Sequence, residues 1–198
     1  MRLQTKMPNV GGMRLIENWL PDKEADALLN LIDQQPWDTS LKRRVQHYGF
    51  KYDYRNPKVE PIGLLPLWVA CYAQQLYLDG IFTDKVPNQV IVNEYEPGQG
   101  IASHTDCVPC FGDTIASLSL GSQCLMDISD RYEGGSGCGT LNLHLKPNSL
   151  LVLKGDSRYK CTHGIIARRS DIINGIRIGR KRRVSVTFRR VIDSHLTF

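Results

Sequence analysis

The sequence lacks long apolar runs, which limits where the protein can reside. No stretch approaches the roughly 18 apolar residues of a membrane-spanning helix, and the initial MRLQTKMPNV has no apolar secretion-signal core. We therefore expect a soluble protein without a membrane partner, cytoplasmic or, in a eukaryote, also nuclear. The apolar fraction of 41% is ordinary for a globular protein and argues against wholesale disorder.

Cysteine is also sparse. Six cysteines in 198 residues do not make a disulfide-dependent miniprotein, and without a secretion signal we expect them to be reduced thiols. Cys107 and Cys110 have the spacing of half a zinc site, but no second pair with metal-binding spacing follows. Two loop cysteines without a metal are the better interpretation.

Acidic residues are scarce in one C-terminal segment. From Arg168 to Arg190 the chain has nine lysines or arginines and the single acid Asp171, within a net charge of +5. A solvated basic face commonly explains such a segment, but the segment also fits a polyanionic partner. We therefore expect nucleic acid (single-stranded DNA, RNA or tRNA) as the partner of a monomeric protein.

The order of sequence patterns predicts an α+β protein that is mainly β. We expect a flexible tail over residues 1–12 and one domain over residues 13–198. In PDKEADALLNLID, Asp22 is a candidate N-cap before a helical apolar stripe, and a second helix is expected within residues 62–80. From residue 88 onward, short β-rich runs separated by turns are typical of a sandwich or barrel. The two helices should pack on one face of it.

A candidate metal site begins in NEYEPGQGIASHTD, residues 93–106. Side chains two apart on a strand share a face, so His104 and Asp106 can approach one point, and His163 lies further along the chain, beyond SLLVLKG. Two histidines and one carboxylate hold Fe(II) on one octahedral face and leave open positions for a co-substrate and O₂. An HxD pattern alone occurs by chance, and His163 alone would be an ordinary core or surface histidine.

The last predicted strand, RVSVTFR, strengthens the metal interpretation. Alternation separates an apolar face of Val184, Val186 and Phe188 from a polar face of Arg183, Ser185, Thr187 and Arg189. If the apolar face packs on the helices, the polar face points into the sandwich, where an unpaired arginine is costly and a carboxylate would satisfy it. Six residues of strand span roughly 20 Å, so we expect Arg183 to be the main anion contact and Arg189 the second. Without the histidines, an ordinary basic sheet edge would be preferred.

Together and in order, the N-x-Y strand, PGQGI, HTD, SLSLGS, THGI and RVSVTFR resemble the AlkB family of Fe(II)- and 2-oxoglutarate-dependent dioxygenases. The resemblance implies a double-stranded β-helix (jelly-roll) core, with Fe(II), 2-oxoglutarate and O₂ as cofactor and co-substrates. It implies that the catalytic iron ligands are His104, Asp106 and His163. It further implies that 2-oxoglutarate is surrounded by Asn93, Tyr95, Arg183 and Arg189, with Ser185 and Thr187 as polar spacers.

The segment RRVQHYGF resembles the substrate-covering lid of the same family, over about residues 36–60. The candidate substrate contacts of this lid are Arg44, Tyr48, Phe50 and Tyr52. Stacking of a base on an aromatic ring can contribute about 1–3 kcal/mol. Packing of these aromatic residues against the sheet is an equally good explanation.

The resemblance implies oxidation of nucleic-acid bases. We expect oxidative dealkylation of N-methylated DNA or RNA bases, which releases succinate, CO₂ and formaldehyde. Family members that repair methylated bases often carry an acid two positions after the metal aspartate, whereas this chain has Val108. The alternatives are hydroxylation of a modified wobble uridine in tRNA, demethylation of a protein or small molecule, and a nucleic-acid-binding jelly roll that has lost catalysis.

Overall fold

The computed structural model describes residues 10–53, 58–131 and 138–192. Its helices are α1 (Asp22–Asp33), α2 (Leu67–Leu78) and α3 (Gly155–Tyr159). Its strands are β1 (Met13–Ile16), β2 (Val45–Tyr48), β3 (Phe50–Asp53), β4 (Lys58–Pro61), β5 (Gln89–Tyr95), β6 (Ile101–His104), β7 (Phe111–Gly121), β8 (Cys124–Asp130), β9 (Leu141–Leu145), β10 (Leu150–Leu153), β11 (Cys161–Ile165), β12 (Ser170–Ile173), β13 (Ile176–Gly179) and β14 (Arg183–Val191).

Two antiparallel sheets form the sandwich that the sequence predicts. The larger sheet has six strands in the order β1-β10-β7-β14-β5-β2, and the smaller has four in the order β6-β11-β8-β9. Strand β14 lies inside the larger sheet, with β5 on one side and β7 on the other. Two hairpins, β3–β4 and β12–β13, lie outside these sheets.

The helices α1 and α2 pack on the outer face of the larger sheet, as expected. Their buried residues form one apolar cluster with Val184, Val186 and Phe188 of β14, so the apolar face of that strand is the one that meets the helices. The prediction that Asp22 is the N-cap of α1 is wrong, because Pro21 occupies the N-cap position and Asp22 is the first helical residue. The Asp22 side chain instead accepts a hydrogen bond from Asn148. None of the helices in these ranges is long and apolar enough to cross a membrane.

The N-terminal segment is ordered further toward the N-terminus than predicted. Val10 is buried, and the carbonyl groups of Gly11 and Gly12 accept hydrogen bonds from Ser157 and Lys154. Gly12 has φ of +83°, and a Cβ there would lie 2.1 Å from the Lys154 carbonyl oxygen, so only glycine fits this crossing. The predicted tail is therefore too long by residues 10–12, and its residues 1–9 lie outside the described ranges.

The lid segment divides at Gly49. Strand β2 joins the larger sheet as an edge strand beside β5, whereas β3 pairs with β4 in a separate hairpin. Gly49 has φ of +75° where the chain passes the Asn88 carbonyl group, and a Cβ at this position would lie 1.9 Å from that oxygen. This turn allows one continuous sequence to serve both the sheet and the hairpin.

The apolar face of β14 gives the first prediction. Phe188 is fully buried between the sheet and the helices, so Phe188→Ala should lower the free energy of unfolding by about 3–5 kcal/mol through lost burial and a cavity. Urea denaturation measures this change. Ile172→Ala, at a side chain that is 59% exposed, is the control and should change the unfolding free energy by less than about 1 kcal/mol. Equal effects of the two substitutions would contradict this packing.

Candidate metal and co-substrate site

A cavity of about 380 Å³ lies between the two sheets. The larger sheet lines it with side chains from β5, β7, β10 and β14, and the smaller sheet with side chains from β6, β8 and β11. Its volume suits a small ligand, since ligand pockets are typically about 300–1,000 Å³. The cavity therefore lies at the place to which strand alternation directs the polar face of β14.

Two histidines and an aspartate meet at one end of this cavity. The candidate ligand atoms of His104, Asp106 and His163 all lie within 4.8 Å of one another. His104 and His163 face each other across the β6–β11 pair, with ring centroids 4.5 Å apart. His104 Nδ1 lies 2.9 Å from the Ala102 carbonyl oxygen, which can only accept, so Nδ1 is the donor. In the neutral ring this leaves Nε2 with the lone pair that a metal would bind.

The charges at this end also suit a divalent cation. Burial alone would raise the pKa of Asp106, but the positive charges near it, that of Arg189 foremost, outweigh burial and hold this pKa below its usual range. Burial, reinforced by repulsion from His104, lowers the pKa of His163 to about 4. At neutral pH the site therefore offers a carboxylate and a neutral imidazole, the forms that bind metals.

Arg189 binds the candidate metal ligand. Its Nη1 donates to Asp106 Oδ1 at 2.5 Å, and its Nε donates to Gln89 Oε1 at 2.7 Å. Arg189 Nη2 is buried without a hydrogen-bond partner. One nitrogen of Arg189 thus orients Asp106 and a second binds Gln89, which leaves the third for a ligand.

Arg183 has more free donors and lies at the other end of the polar face of β14. It is 3% exposed, and Nη2 donates to Ser119 Oγ at 2.8 Å, while Nε and Nη1 are buried without a partner. Its guanidinium carbon lies 5.4 Å from the ring centroid of Tyr95. A buried cation with two unpaired donors is costly unless an anion binds it. This observation makes Arg183 the stronger candidate for a carboxylate contact.

The remaining predicted co-substrate contacts lie along the same wall. Asn93, Tyr95, Ser185 and Thr187 all line the cavity, and Asn93 lies opposite Ser185 in the β5–β14 pair. Ser185 and Thr187 hydrogen-bond to Ser117 of β7, at 2.8 and 3.2 Å. No sequence motif points to Ser117, although alternation within TIASLSL is consistent with its position on the interior face of β7.

Arg158 is a second residue that the sequence does not reveal. Its side chain is 2% exposed, and it donates to the carbonyl groups of Asp106, Cys107, Phe111 and Gly112 at 2.9–3.2 Å. The loop that carries Asp106 therefore wraps around this guanidinium. In the sequence, Arg158 is one of two basic residues in SRYKC, and nothing there indicates contact with a loop some fifty positions earlier.

Four of the six cysteines differ from the expectation of reduced thiols. Cys107 is bonded to Cys110, with Cα atoms 5.3 Å apart, and Cys138 is bonded to Cys161, with Cα atoms 5.9 Å apart. Both separations lie in the usual range for a disulfide. The expectation is wrong at these positions because the fold brings the partners together, whereas Cys71 and Cys124 are free.

Only one of the four candidate lid residues, Tyr52, lines the cavity. Alternation in β2 turns Tyr48 toward the helices, where its ring packs edge-on against Trp68 at 5.2 Å. Arg44 instead makes two hydrogen bonds to the buried Glu94, at 2.5 and 2.8 Å. Phe50 packs against the inner apolar cluster. The lid assignment is therefore corrected at Arg44, Tyr48 and Phe50, whose side chains serve packing or ion pairing.

The neighbour of Arg44 points the other way. Arg43 lines the cavity, and its Nε donates to Asn93 Oδ1 at 2.9 Å. The sequence RR gives no reason to choose the first arginine over the second. Pairing of β2 with β5 makes that choice, because it fixes which side chains face the interior.

The basic C-terminal segment does not form one charged face. Asp171 binds both Arg168 and Arg180, at 2.7 Å each, and Arg182 pairs with Glu94 and Asp33. Two more of the nine basic residues, Arg183 and Arg189, point into the cavity. The exposed positive charge available to a polyanion is therefore smaller than the sequence suggests.

Comparison with known proteins matches nearly the whole chain. The family model described as "2OG-Fe(II) oxygenase superfamily" matches residues 12–189. An uncharacterized protein, L905, of Acanthamoeba polyphaga mimivirus is 35% identical over 93% of this chain and 87% of its own length. The zebrafish (Danio rerio) protein named probable RNA/DNA demethylase ALKBH6 is 31% identical over 89% of this chain and 84% of its own length.

Longer relatives match over part of their length. The macaque (Macaca fascicularis) protein named tRNA (carboxymethyluridine(34)-5-O)-methyltransferase ALKBH8 is 36% identical over 82% of this chain, which spans 25% of that protein. Among solved structures, OsALKBH1 superposes with a TM-score of 0.66 at 17% identity, covering 95% of this chain and 100% of that chain. This likeness supports the fold alone, and with the family match it confirms the predicted jelly-roll core.

The contacts of Arg158 give the second prediction. Arg158→Lys keeps a positive charge but removes the fork that binds four carbonyl groups, so Asp106 should be held less accurately. We expect the affinity for Mn(II), measured by calorimetry, to fall about tenfold or more, as for residues that support metal ligands. Lys160→Gln, an exposed change nearby in the chain, should leave Mn(II) affinity unchanged. Unchanged Mn(II) affinity in Arg158→Lys would contradict this role.

The free donors of Arg183 give the third prediction. Arg183→Gln should weaken binding of 2-oxoglutarate to the Mn(II)-loaded protein by roughly 10–100-fold, the usual range for a lost hydrogen bond to a charged group. Calorimetric titration under conditions that prevent turnover measures this change. Arg177→Gln removes an exposed arginine from the same basic segment and is the matched control. If both variants bind 2-oxoglutarate like the wild type, Arg183 is not the carboxylate contact.

Proposed function

Because the chain belongs to the AlkB family of the 2OG-Fe(II) oxygenase superfamily, we propose that it hydroxylates a modified uridine in tRNA, at the wobble position. As a member of that family it is a dioxygenase that uses Fe(II), 2-oxoglutarate and O₂. Within this activity, the identity of the substrate is what we propose. The observation that carries it is the charge of the cavity, in which arginines outnumber acids.

His104, Asp106 and His163 would hold the ferrous ion. Their fit rests on the convergence of three ligand atoms and on the neutral imidazole and ionised carboxylate expected there. Three protein ligands leave open positions on an octahedral ion. When bound, iron and 2-oxoglutarate supply oxidising chemistry that inserts one oxygen atom of O₂ into a substrate C–H bond, with succinate and CO₂ as co-products.

The protein itself positions the reagents and excludes water. Arg183 would bind one carboxylate of 2-oxoglutarate through its two unpaired donors, and the hydroxyl groups of Ser185 and Thr187 line the same wall. Asn93 and Tyr95 complete this side of the proposed co-substrate site. Arg189 would orient Asp106 while offering its remaining Nη2 to the ligand. The apolar residues around the cavity, such as Ile115 and Leu151, keep its interior dry.

The electrostatics favour a neutral or anionic base. Among the described residues that line the cavity, Arg43, Arg183 and Arg189 are cations, and Asp106 is the one acid. Asp106 is already paired with Arg189 and would bind the metal. Bases such as 1-methyladenine and 3-methylcytosine carry a positive charge at neutral pH, so no free carboxylate in this lining would stabilise them. Uridine is neutral, and some of its substituents are anionic.

The relatives support the same choice. The name of the macaque ALKBH8 protein refers to carboxymethyluridine at position 34 of tRNA, and this chain matches it at 36% identity. The chain spans a quarter of that protein, so the activity of the whole protein does not follow from the match. Val108, in place of the acid expected of enzymes that repair methylated bases, points in the same direction.

N-dealkylation of DNA or RNA bases is the second candidate. It is favoured by the zebrafish relative, whose name includes probable RNA/DNA demethylase and which matches over most of both chains. In this reaction the hydroxylated N-methyl group is lost as formaldehyde. Formaldehyde release therefore separates the two candidates.

The fourth prediction tests the substrate. Anticodon stem-loops with 5-carboxymethyluridine or its methyl ester at the wobble position are incubated with Fe(II), 2-oxoglutarate and O₂. We expect mass spectrometry to show a gain of one oxygen atom on the modified uridine, with equimolar succinate and no formaldehyde. His163→Ala should give no product, because it removes one proposed metal ligand.

A parallel reaction uses an oligonucleotide that carries 1-methyladenine. Release of formaldehyde together with unmodified adenine, and no change in the uridine substrates, would overturn the proposal in favour of N-dealkylation. Binding of the oligonucleotides without any consumption of 2-oxoglutarate would instead indicate a binding protein without catalysis.

A further inference from the structure

Arg43 lies at the cavity, and its one hydrogen bond to the co-substrate site described above goes to Asn93. It directly precedes Arg44 and β2, and the two arginines point in opposite directions. Arg44 is held by Glu94, whereas Arg43 turns inward and donates one hydrogen bond, from Nε to Asn93 Oδ1. A single bond to an amide holds the guanidinium in place and leaves its charge unneutralised.

The outer nitrogens of Arg43 are available. Within the described residues, no carboxylate pairs with Arg43, and its hydrogen bond to Asn93 uses Nε alone. The two Nη groups form the fork through which arginine binds a carboxylate or a phosphate. Tyr52 lines the same cavity and adds an aromatic surface.

The charges that line the cavity favour a further anion in the loaded site. Three cationic arginines and one carboxylate line the cavity, which leaves a surplus of two positive charges. A ferrous ion and the dianion of 2-oxoglutarate cancel each other and leave that surplus unchanged. Arg189 is paired with Asp106, which leaves Arg183 and Arg43 as the two surplus cations. The buried unpaired donors of Arg183 are assigned to the proposed co-substrate, so Arg43 is the arginine without an assigned anion. Arg43 is half-buried, where the attraction between a guanidinium and an anion is stronger than in bulk water.

We infer that Arg43 is a specificity-determining residue that binds an anionic oxygen group of the substrate. The inference rests on the proposed function and deepens it by naming the chemistry that the substrate presents. A carboxylate on the uridine substituent and a phosphate of the RNA backbone have this chemistry in common. A substrate without such a group leaves the guanidinium unpaired and is bound more weakly.

The test compares substrates that differ by one charge. The nucleoside 5-carboxymethyluridine has a carboxylate and no phosphate, and its methyl ester is neutral and nearly the same shape. Binding of each to the protein loaded with Mn(II) and 2-oxoglutarate is measured by calorimetry, so no turnover is needed. Binding of the corresponding stem-loops reports on the phosphate contribution.

Arg43→Gln should weaken binding of the acid about tenfold relative to the ester, the size expected for a charged hydrogen bond. Arg43→Lys keeps the charge without the fork and should give an intermediate loss. Lys42→Gln removes the same charge from the exposed neighbouring residue and should leave the ratio of acid to ester unchanged. The dissociation constant for 2-oxoglutarate, measured in each variant, shows whether the loss concerns the substrate or the co-substrate.

The outcomes are distinct. If Arg43→Gln weakens stem-loop binding in a salt-dependent way but affects neither nucleoside, the anion is a backbone phosphate and the inference stands. If the variant weakens 2-oxoglutarate binding instead, or affects acid and ester equally, the inference is overturned. If the wild type binds the acid through Arg43 but never oxidises it, the proposed function fails while the anion site remains.

Discussion

The two faces of strand β14 lie in different environments, the apolar core beneath the helices and the cavity between the sheets. The site depends on an alternating sequence that suits both. One face supplies Val184, Val186 and Phe188 to the core beneath the helices, and the other places Arg183 and Arg189 between the sheets. A shift of one residue in register would exchange the two faces and bury both arginines among helices. Pairing with β5 and β7 over most of the strand prevents such a shift.

The buried charges are stabilised in different ways, and the differences indicate function. The charge of Arg189 is compensated by Asp106, although its Nη2 has no partner, and Arg158 is held by four carbonyl groups. Arg183 retains two buried donors without partners, a cost that a bound carboxylate would remove. We therefore regard Arg158 and Arg189 as supports of Asp106, and Arg183 as a residue whose partner comes from outside the chain.

Much of the fold could be predicted from the sequence, because it rests on short-range periodicity. The period-two alternation of RVSVTFR assigns the interior face of β14 correctly, and the helical stripe after Asp22 gives α1. The convergence of His104, Asp106 and His163 needed the family resemblance, since the pairing of β6 with β11 leaves no mark in the sequence.

The predictions that differ from the structure concern contacts between distant segments. The family resemblance assigns Tyr48 to the lid, but pairing of β2 with β5 turns it toward Trp68. The same pairing selects Arg43 over Arg44, and the packing of α3 brings Arg158 to the loop of Asp106. The bond between Cys138 and Cys161 likewise depends on tertiary contact. Single-sequence patterns carry no information on which distant segments meet.

We expect three side chains from separate parts of the chain to bind one ferrous ion together with 2-oxoglutarate. The most direct test is the visible charge-transfer absorption of an Fe(II)–2-oxoglutarate complex, recorded without O₂. We predict that the band appears in the wild type and is lost in His104→Ala, Asp106→Ala and His163→Ala variants that remain folded by circular dichroism. A wild-type protein without the band, or variants that all keep it, would contradict the account.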